Sequence, residues 1–241
     1  MSPDIIADLA PTGVLRAGIN LSNFLLVTGK SPDGEPEGIA PDMAREIAVR
    51  LGVPIDYVLF KTPGALADAA ESGIWDIGLI GAEPQRAETI AFTAAYAEIE
   101  ATYLVPAGSP LQTIADVDRA GVRIAVAGRT AYGLWLDRNI KHAELVRSQT
   151  VDGAYDQFVG DGLDALAGLR PRLLADVEKL PGARIIDARF TAVQQAVGTA
   201  RKNKAGAAFL GDFVEEAKAS GLVARLIERH KVRGLSVAAP A

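Results

Sequence analysis

Two hydrophobic periods alternate along the chain. Short apolar runs rich in β-branched residues give way to segments whose apolar positions recur every three to four residues. Residues 14–20 (VLRAGIN) predict a strand. Residues 41–51 predict a helix, because Met43, Ile47 and Leu51 fall on one stripe, Asp42 suits the first turn, and Gly52-Val53-Pro54 stops the element. A strand at 55–60, a helix near 64–72 ending at Gly73 and a strand at 76–80 follow. The rhythm then repeats: strand 122–127, helix 130–138, strand 144–147, helix 151–159, strand 163–167, helix 171–179 and strand 184–187. Residues 204–230 are helical, divided at Gly221, and the tail GLSVAAPA is expected to be loose.

Alternation of β and α at this spacing implies parallel sheets with helices on both faces. Two stretches break the pattern. Residues 99–106 (IEATYLVP) and 192–199 (AVQQAVGT) are extended, and they bracket an inner βα block. The expectation is an α/β protein of two doubly wound lobes. Lobe 1 comprises 1–100 plus 198–241, and lobe 2 is the inserted 101–197. Two strands crossing between lobes form a hinge, which implies a cleft that closes on a ligand.

Composition narrows the chemistry. The 241 residues are 49% apolar, enough for two cores, and wholesale disorder is excluded. A net charge of −5, from 25 basic and 30 acidic residues, argues against non-specific nucleic-acid binding. The chain has no cysteine and two histidines, His142 and His230, far apart. Thiolate metal sites, disulfides and a cysteine nucleophile are therefore excluded, and neither metal nor cofactor is expected. The amino terminus MSPDIIADLAPTG carries neither the basic segment nor the apolar run of a signal peptide.

An ordered set of motifs resembles a known family. They are LRAGIN; Gly38-Ile39-Ala40-Pro41-Asp42-Met43-Ala44; Ser72-Gly73-Ile74-Trp75-Asp76-Ile77; Arg86 followed by Ile90-Ala91-Phe92-Thr93 and Tyr96; Ile114-Ala115-Asp116-Val117 before Val122-Arg123-Ile124-Ala125-Val126; and Gly162-Leu163-Asp164-Ala165. In this order they resemble the type 2 periplasmic solute-binding proteins of polar-amino-acid ABC importers, bacterial solute-binding protein family 3. The resemblance runs from strand 14–20 to the helix ending near His230. It implies two lobes around a cleft, a small-molecule ligand, a membrane permease as partner and a periplasmic location. A monomer is expected.

Arg86 lies just past strand 76–80, at the carboxyl edge of a parallel sheet where open α/β folds bind ligands. Its planar fork can grip a carboxylate through two parallel charge-assisted hydrogen bonds, and the resemblance implies that role. The other reading is a surface arginine paired with Glu83 or Glu88. On the second lobe, Gly128-Arg129-Thr130-Ala131 opens a helix whose free N–H groups and Thr130 hydroxyl could take the same carboxylate. The family usually has Gly-Thr-Gly or Gly-Thr-Ser here, so Arg129 is an added cation or a solvated side chain.

Departures from the family bear on the ligand. Amino-acid binders hold the ammonium with an acid five residues after the Asp at Asp164, a position that here is Leu169 with Arg170 beside it. The aromatic clamp falls on Asn23 and Pro63, with Phe24 one residue away, and the usual Thr-x-Thr is replaced by Gly81-Ala82-Glu83-Pro84. Glu83 either accepts from the ligand, orients Arg86, or is a capping acid. Asn20 and Asn23 either bond a ligand or form turns. Trp75, Trp135 and Tyr132 are expected in the core.

These residues predict a non-enzymatic binding protein that closes on a small carboxylate-bearing solute: an amino acid or, given the missing ammonium partner, an organic acid. Two other readings stand beside it. One is a stand-alone cytoplasmic or sensor binding domain, motivated by the absent leader. The other is an enzyme resembling cyclohexadienyl and arogenate dehydratases, with Glu83 or Asp42 as general acid.

Overall fold

The computed structural model describes residues 1–241. The chain forms two compact units: Met1–Glu98 with Gln194–Ala241, and Ile99–Val193. In chain order the elements are α1 (Pro3–Leu9), β1 (Leu15–Asn20), β2 (Gly29–Lys30), β3 (Pro36–Glu37), α2 (Ile39–Leu51), β4 (Ile55–Phe60), α3 (Pro63–Asp68), β5 (Ile77–Gly81) and β6 (Ile90–Val105). Then come α4 (Ile114–Val117), β7 (Arg123–Ala127), α5 (Ala131–Asn139), β8 (Glu144–Ser148), α6 (Val151–Gly160), β9 (Ala165–Leu169), α7 (Arg170–Val177) and β10 (Arg184–Ile185). The chain closes with β11 (Thr191–Ala200), α8 (Lys204–Ala219), α9 (Leu222–Arg229) and β12 (Ser236–Val237).

The first unit has strand order β4-β1-β5-β11-β6. Its β1 pairs parallel with β4 and β5, and β11 runs antiparallel to β5. The second unit has order β6-β9-β7-β8, with β7 parallel to both neighbours and β6 antiparallel to β9. The parallel α/β expectation therefore holds for the consecutive strands of each unit. The antiparallel members of the larger sheet are β6, β10, β11 and β12, and β2 and β3 form a separate antiparallel pair.

One device is built twice, and it explains two of the sequence motifs. At the start of β1 the Arg16 backbone N–H donates to Asp76 Oδ2 (2.9 Å), while Asp76 N–H donates back to Arg16 O (2.8 Å). The Arg16 side chain donates through Nη1 to Gly73 O (2.6 Å) and through Nε and Nη2 to both Asp76 oxygens. In the second unit Arg123 N–H donates to Asp164 Oδ2 (2.8 Å), Asp164 N–H to Arg123 O (3.0 Å), and Arg123 Nη2 to Gly162 O (2.9 Å). Gly73 and Gly162 both occupy left-handed backbone, φ 72° and 58°, which glycine adopts at least cost. An acid and a turn glycine thus set the register of a parallel strand pair in each unit.

Another motif is a helix cap. Asp116 Oδ2 accepts the backbone N–H groups of Thr113 (2.8 Å) and Gln112 (3.0 Å), which starts α4. These bonds, Thr113 first, hold the Asp116 carboxyl below the usual range.

Three expectations need correction. The helix expected to Gly73 ends at Asp68, where the backbone tightens into successive turns: Ala69 N–H donates to Leu66 O (3.3 Å), Ala70 N–H to Ala67 O (3.1 Å) and Ser72 N–H to Ala69 O (3.1 Å). The extended run expected from 99 begins at Ile90 and includes Tyr96. The tail is not loose: Ser236 and Val237 pair with Glu98 and Ala97, Leu235 and Ala238 are buried, and Lys218 Nζ donates to Ala239 O (2.8 Å). Trp75 and Tyr132 lie in the cores as expected, and Trp135 is half-buried against Phe190.

Tyr96 is fully buried, and its hydroxyl bonds no group of the chain. Burial pushes its phenol well above the ordinary range. Because the hydroxyl has no protein partner to lose, Tyr96→Phe is expected to leave stability unchanged or raise it by about 1 kcal/mol. Urea unfolding checks this, and a clear loss would show that the hydroxyl is bonded after all.

Candidate functional site

In the first unit the candidate residues gather at the carboxyl ends of β1 and β5. All of β5 is buried, and the chain turns immediately after Gly81. Ala82 N–H donates to Gln194 O (2.7 Å) and Ala87 N–H to Glu83 O (2.9 Å), which folds 82–88 back on itself and ends in a 3-10 turn at Arg86–Glu88. That fold-back lays Arg86 against the strand end. Its Nη1 donates to Gly81 O at 2.7 Å, and the residue is only 5% exposed. Burying a guanidinium is costly unless it is paired and bonded, so its placement here is a specific feature of the turn. Glu83 is half-buried beside it.

Asn20 and Asn23, both buried, form turns as one of the two readings held. Asn20 Oδ1 accepts Ser22 N–H (3.1 Å) and Ser22 Oγ (2.8 Å), and Asn23 Oδ1 accepts Leu25 N–H (3.2 Å). Neither Nδ2 donates to a group of the chain, so each carboxamide keeps its donor. Phe24, next to Asn23, is 46% exposed and is the aromatic side chain presented by this loop. Pro63 is the first residue of α3 and buried.

In the second unit the candidates gather at the carboxyl ends of β7 and β9. Thr130 is the N-cap of α5: its hydroxyl donates to Ala127 O (2.8 Å) and accepts Gly133 N–H (3.1 Å). The hydroxyl proton is thus committed to the chain, and what the turn offers an anion is the start of α5 at Ala131. Gly133 is required at this cap, since a Cβ would stand 2.6 Å from Ala127 O. Arg129 is exposed and sits at φ 61°, left-handed backbone that is uncommon for a residue other than glycine.

Arg170, the first residue of α7, is half-buried and held in place. Nε donates to Glu100 Oε2 (2.8 Å) and Nη2 to the carbonyls of Asp187 and Ala188 (3.0 Å each). Arg189 Nη1 reaches the other Glu100 oxygen at 3.5 Å. Sequence reasoning missed Glu100. Its signal lies in the sheet: β6 and β9 pair Ala101 with Leu169, which sets Glu100 next to the position where an acid was sought.

Asp42, a candidate acid for the enzyme reading, lies in the first turn of α2 and is engaged by groups of the chain. It is buried in α2, with Oδ2 at 2.8 Å from His230 Nε2 and 3.3 Å from Arg229 Nη1, and Oδ1 at 3.4 Å from Arg45 Nη1. Three cationic or donor groups therefore share it, a structural clasp joining α2 to the end of α9. No group of acidic and histidine residues is arranged to hold a metal, and no helix is long and apolar enough to cross a membrane.

The sequence of strand ends, capped helices and paired register devices has a counterpart among known proteins. Residues 19–232 match the bacterial extracellular solute-binding proteins, family 3. The chain belongs to this family. No curated protein matches it. Among solved structures it is similar to a histidine kinase sensor domain with similarity to periplasmic binding proteins (TM-score 0.75, 17% identity, 96% of this chain and 100% of that one). It is also similar to a putative binding component of an ABC transporter from Wolinella succinogenes complexed with lysine (0.74, 20%, 90% and 95%). A third is an ancestral amino acid-binding protein, a precursor of cyclohexadienyl dehydratase (0.74, 19%, 93% and 98%). At these identities the likeness establishes the type 2 periplasmic binding protein fold. Membership of the solute-binding family is what the match over residues 19–232 adds.

Proposed function

We propose that this family member binds a small solute through a carboxylate gripped by Arg86, without chemical turnover, and delivers it to a membrane permease of ABC type. The observation that carries the reading is the buried Arg86 guanidinium fixed on Gly81 O, at the carboxyl edge of a parallel sheet. The start of α5, with Arg129 and Ala131, offers the second unit's groups suited to an anion. An organic acid is favoured over an α-amino acid, because Leu169 cannot pair an ammonium group and an unpaired charge is costly once desolvated. Titration calorimetry against panels of each class tests this. Tight binding of ordinary L-amino acids with none of organic acids would overturn the organic-acid preference.

Glu100 supports a second reading, an amino-acid ligand. Its carboxylate is the nearest acid along β6 to the Leu169 position, and a solved neighbour holds lysine. Because Arg170 and Arg189 already claim both oxygens, an ammonium group would have to displace one of them. Under this reading Glu100→Gln abolishes amino-acid binding, and under the first it leaves organic-acid binding intact.

Phe24 supplies the apolar contact in either case. Phe24→Ala is expected to weaken binding about tenfold, the loss of one stacked ring, with an unchanged melting temperature because the side chain is nearly half exposed. The dehydratase alternative is tested by incubation with prephenate, in which absence of phenylpyruvate absorbance is expected. The structural reason is that Asp42 is engaged by Arg45, Arg229 and His230.

A further inference from the structure

The second unit holds a recess of about 330 Å³ that none of these readings uses. It is walled by Phe158 and Val159 from the last turn of α6, by Leu163 ahead of β9, and by Leu180 and Pro181 ahead of β10, with Asp164 at its polar edge. Asp164 and Leu163 precede the first residue of β9, whereas Leu169 and Arg170 stand at its other end. The recess therefore lies a full strand length, about 15 Å, from the carboxyl edge considered above. Its size falls within the range of small-molecule sites, and its walls are mainly apolar.

Two features give the recess a negative rim. Asp164 is the counterpart of Asp76, but the two acids are bonded differently. Asp76 has both oxygens bonded by Arg16, whereas the Asp164 bonds all fall on Oδ2, with Arg123 Nε 3.9 Å from that same oxygen. Oδ1 of Asp164 accepts nothing from the chain. The walls also include the carboxyl end of α6. This helix has no basic residue in its last turn. The negative end of the helix dipole favours a cation. Val159, 48% exposed, leaves an apolar wall open to solvent at the mouth.

We propose that this recess is a second ligand site, for a small molecule with an apolar body and one ammonium group, the body against Phe158 and Leu163 and the ammonium on Asp164 Oδ1. The site stands on the second unit alone and does not depend on the role proposed for Arg86.

Saturation-transfer NMR with 2-phenylethylamine tests it, with 2-phenylethanol and phenylacetate as matched probes. Saturable binding of the amine is expected, weaker for the alcohol and about tenfold weaker for the carboxylate, the difference a charge-assisted bond makes. Asp164→Asn keeps an acceptor for Arg123 N–H and is expected to bring the amine down to the level of the alcohol. Val159→Trp, at the exposed mouth, is expected to block all three probes while the far-UV spectrum stays unchanged. Arg86→Ala is expected to leave amine binding intact. No saturable binding, equal binding of amine and carboxylate, or loss of the amine in Arg86→Ala would each overturn the proposal. The last result would place the probe in the first unit instead.

Discussion

Arg86→Ala is expected to lower affinity for the solute by about a hundredfold, the loss that follows truncation of a buried charge that pairs with a ligand carboxylate. The bond from its side chain to Gly81 O joins groups five residues apart in one turn. Removing a buried guanidinium also costs the fold, and the melting temperature is expected to fall by several degrees, so binding is measured well below the transition. Arg86→Lys separates charge from geometry. Lysine keeps the positive charge but presents a point ammonium in place of a planar fork, so a bidentate grip is not restored and most of the loss should remain. Calorimetry on the three proteins, with melting curves alongside, gives the comparison. Full affinity in Arg86→Lys would show that long-range charge attraction holds the ligand. Full affinity in Arg86→Ala would remove the residue from the site.

What was legible in the sequence follows from the range of the interactions involved. Strand ends and helix starts are local: Gly128-Arg129-Thr130-Ala131 after a strand announces a helix start, although the Thr130 hydroxyl read as an anion donor serves as the cap. Asn20 and Asn23, open between ligand and turn, use their oxygens in turns. Arg86 was legible because a strand of β-branched and small residues precedes it and its fold-back is completed within seven residues. The Arg170–Glu100 pair spans 70 residues and depends on the register of β9 against β6, which no local pattern encodes. The same holds for the tail, whose docking rests on β12 finding Glu98 and Ala97 far upstream. Likewise Asp76 and Asp164 stood out as motif letters, but their shared purpose appears only when Arg16 and Arg123 are laid beside them in the sheet. The longer strands and helices were readable in place, then, while α1, α4, the short strands β2, β3 and β12 and the electrostatic setting of the candidate residues were not.

Trp75→Ala is expected to be the most destabilising single change in the first unit. The indole is 3% exposed and rests on a floor made for it: Gly18 and Gly78 are register partners in β1 and β5. A Cβ on Gly18 would lie 3.3 Å from Trp75 Cγ, and one on Gly78 would lie 3.4 Å from Cη2. Nε1 closes the arrangement by donating to Leu66 O at 3.1 Å. Truncation empties this space and removes one of the bonds to Leu66 O, which still accepts Ala69 N–H, a loss of about 3–5 kcal/mol. That corresponds to a melting temperature lower by roughly 10 °C. Trp75→Phe refills most of the volume and loses mainly the hydrogen bond, about 1–2 kcal/mol. The floor supplies a sharper check. Adding a methyl group to Gly18 crowds the indole in the parent protein but has room once the indole is gone. Gly18→Ala should therefore cost less in the Trp75→Ala background than alone, a coupling that denaturant unfolding of the four proteins measures directly. Additive losses would mean that the glycines serve the backbone and not the tryptophan. Because β5 ends at the carbonyl that holds Arg86, loosening its packing should also weaken solute binding, while hydrogen exchange in β7 and β9 of the second unit stays unchanged.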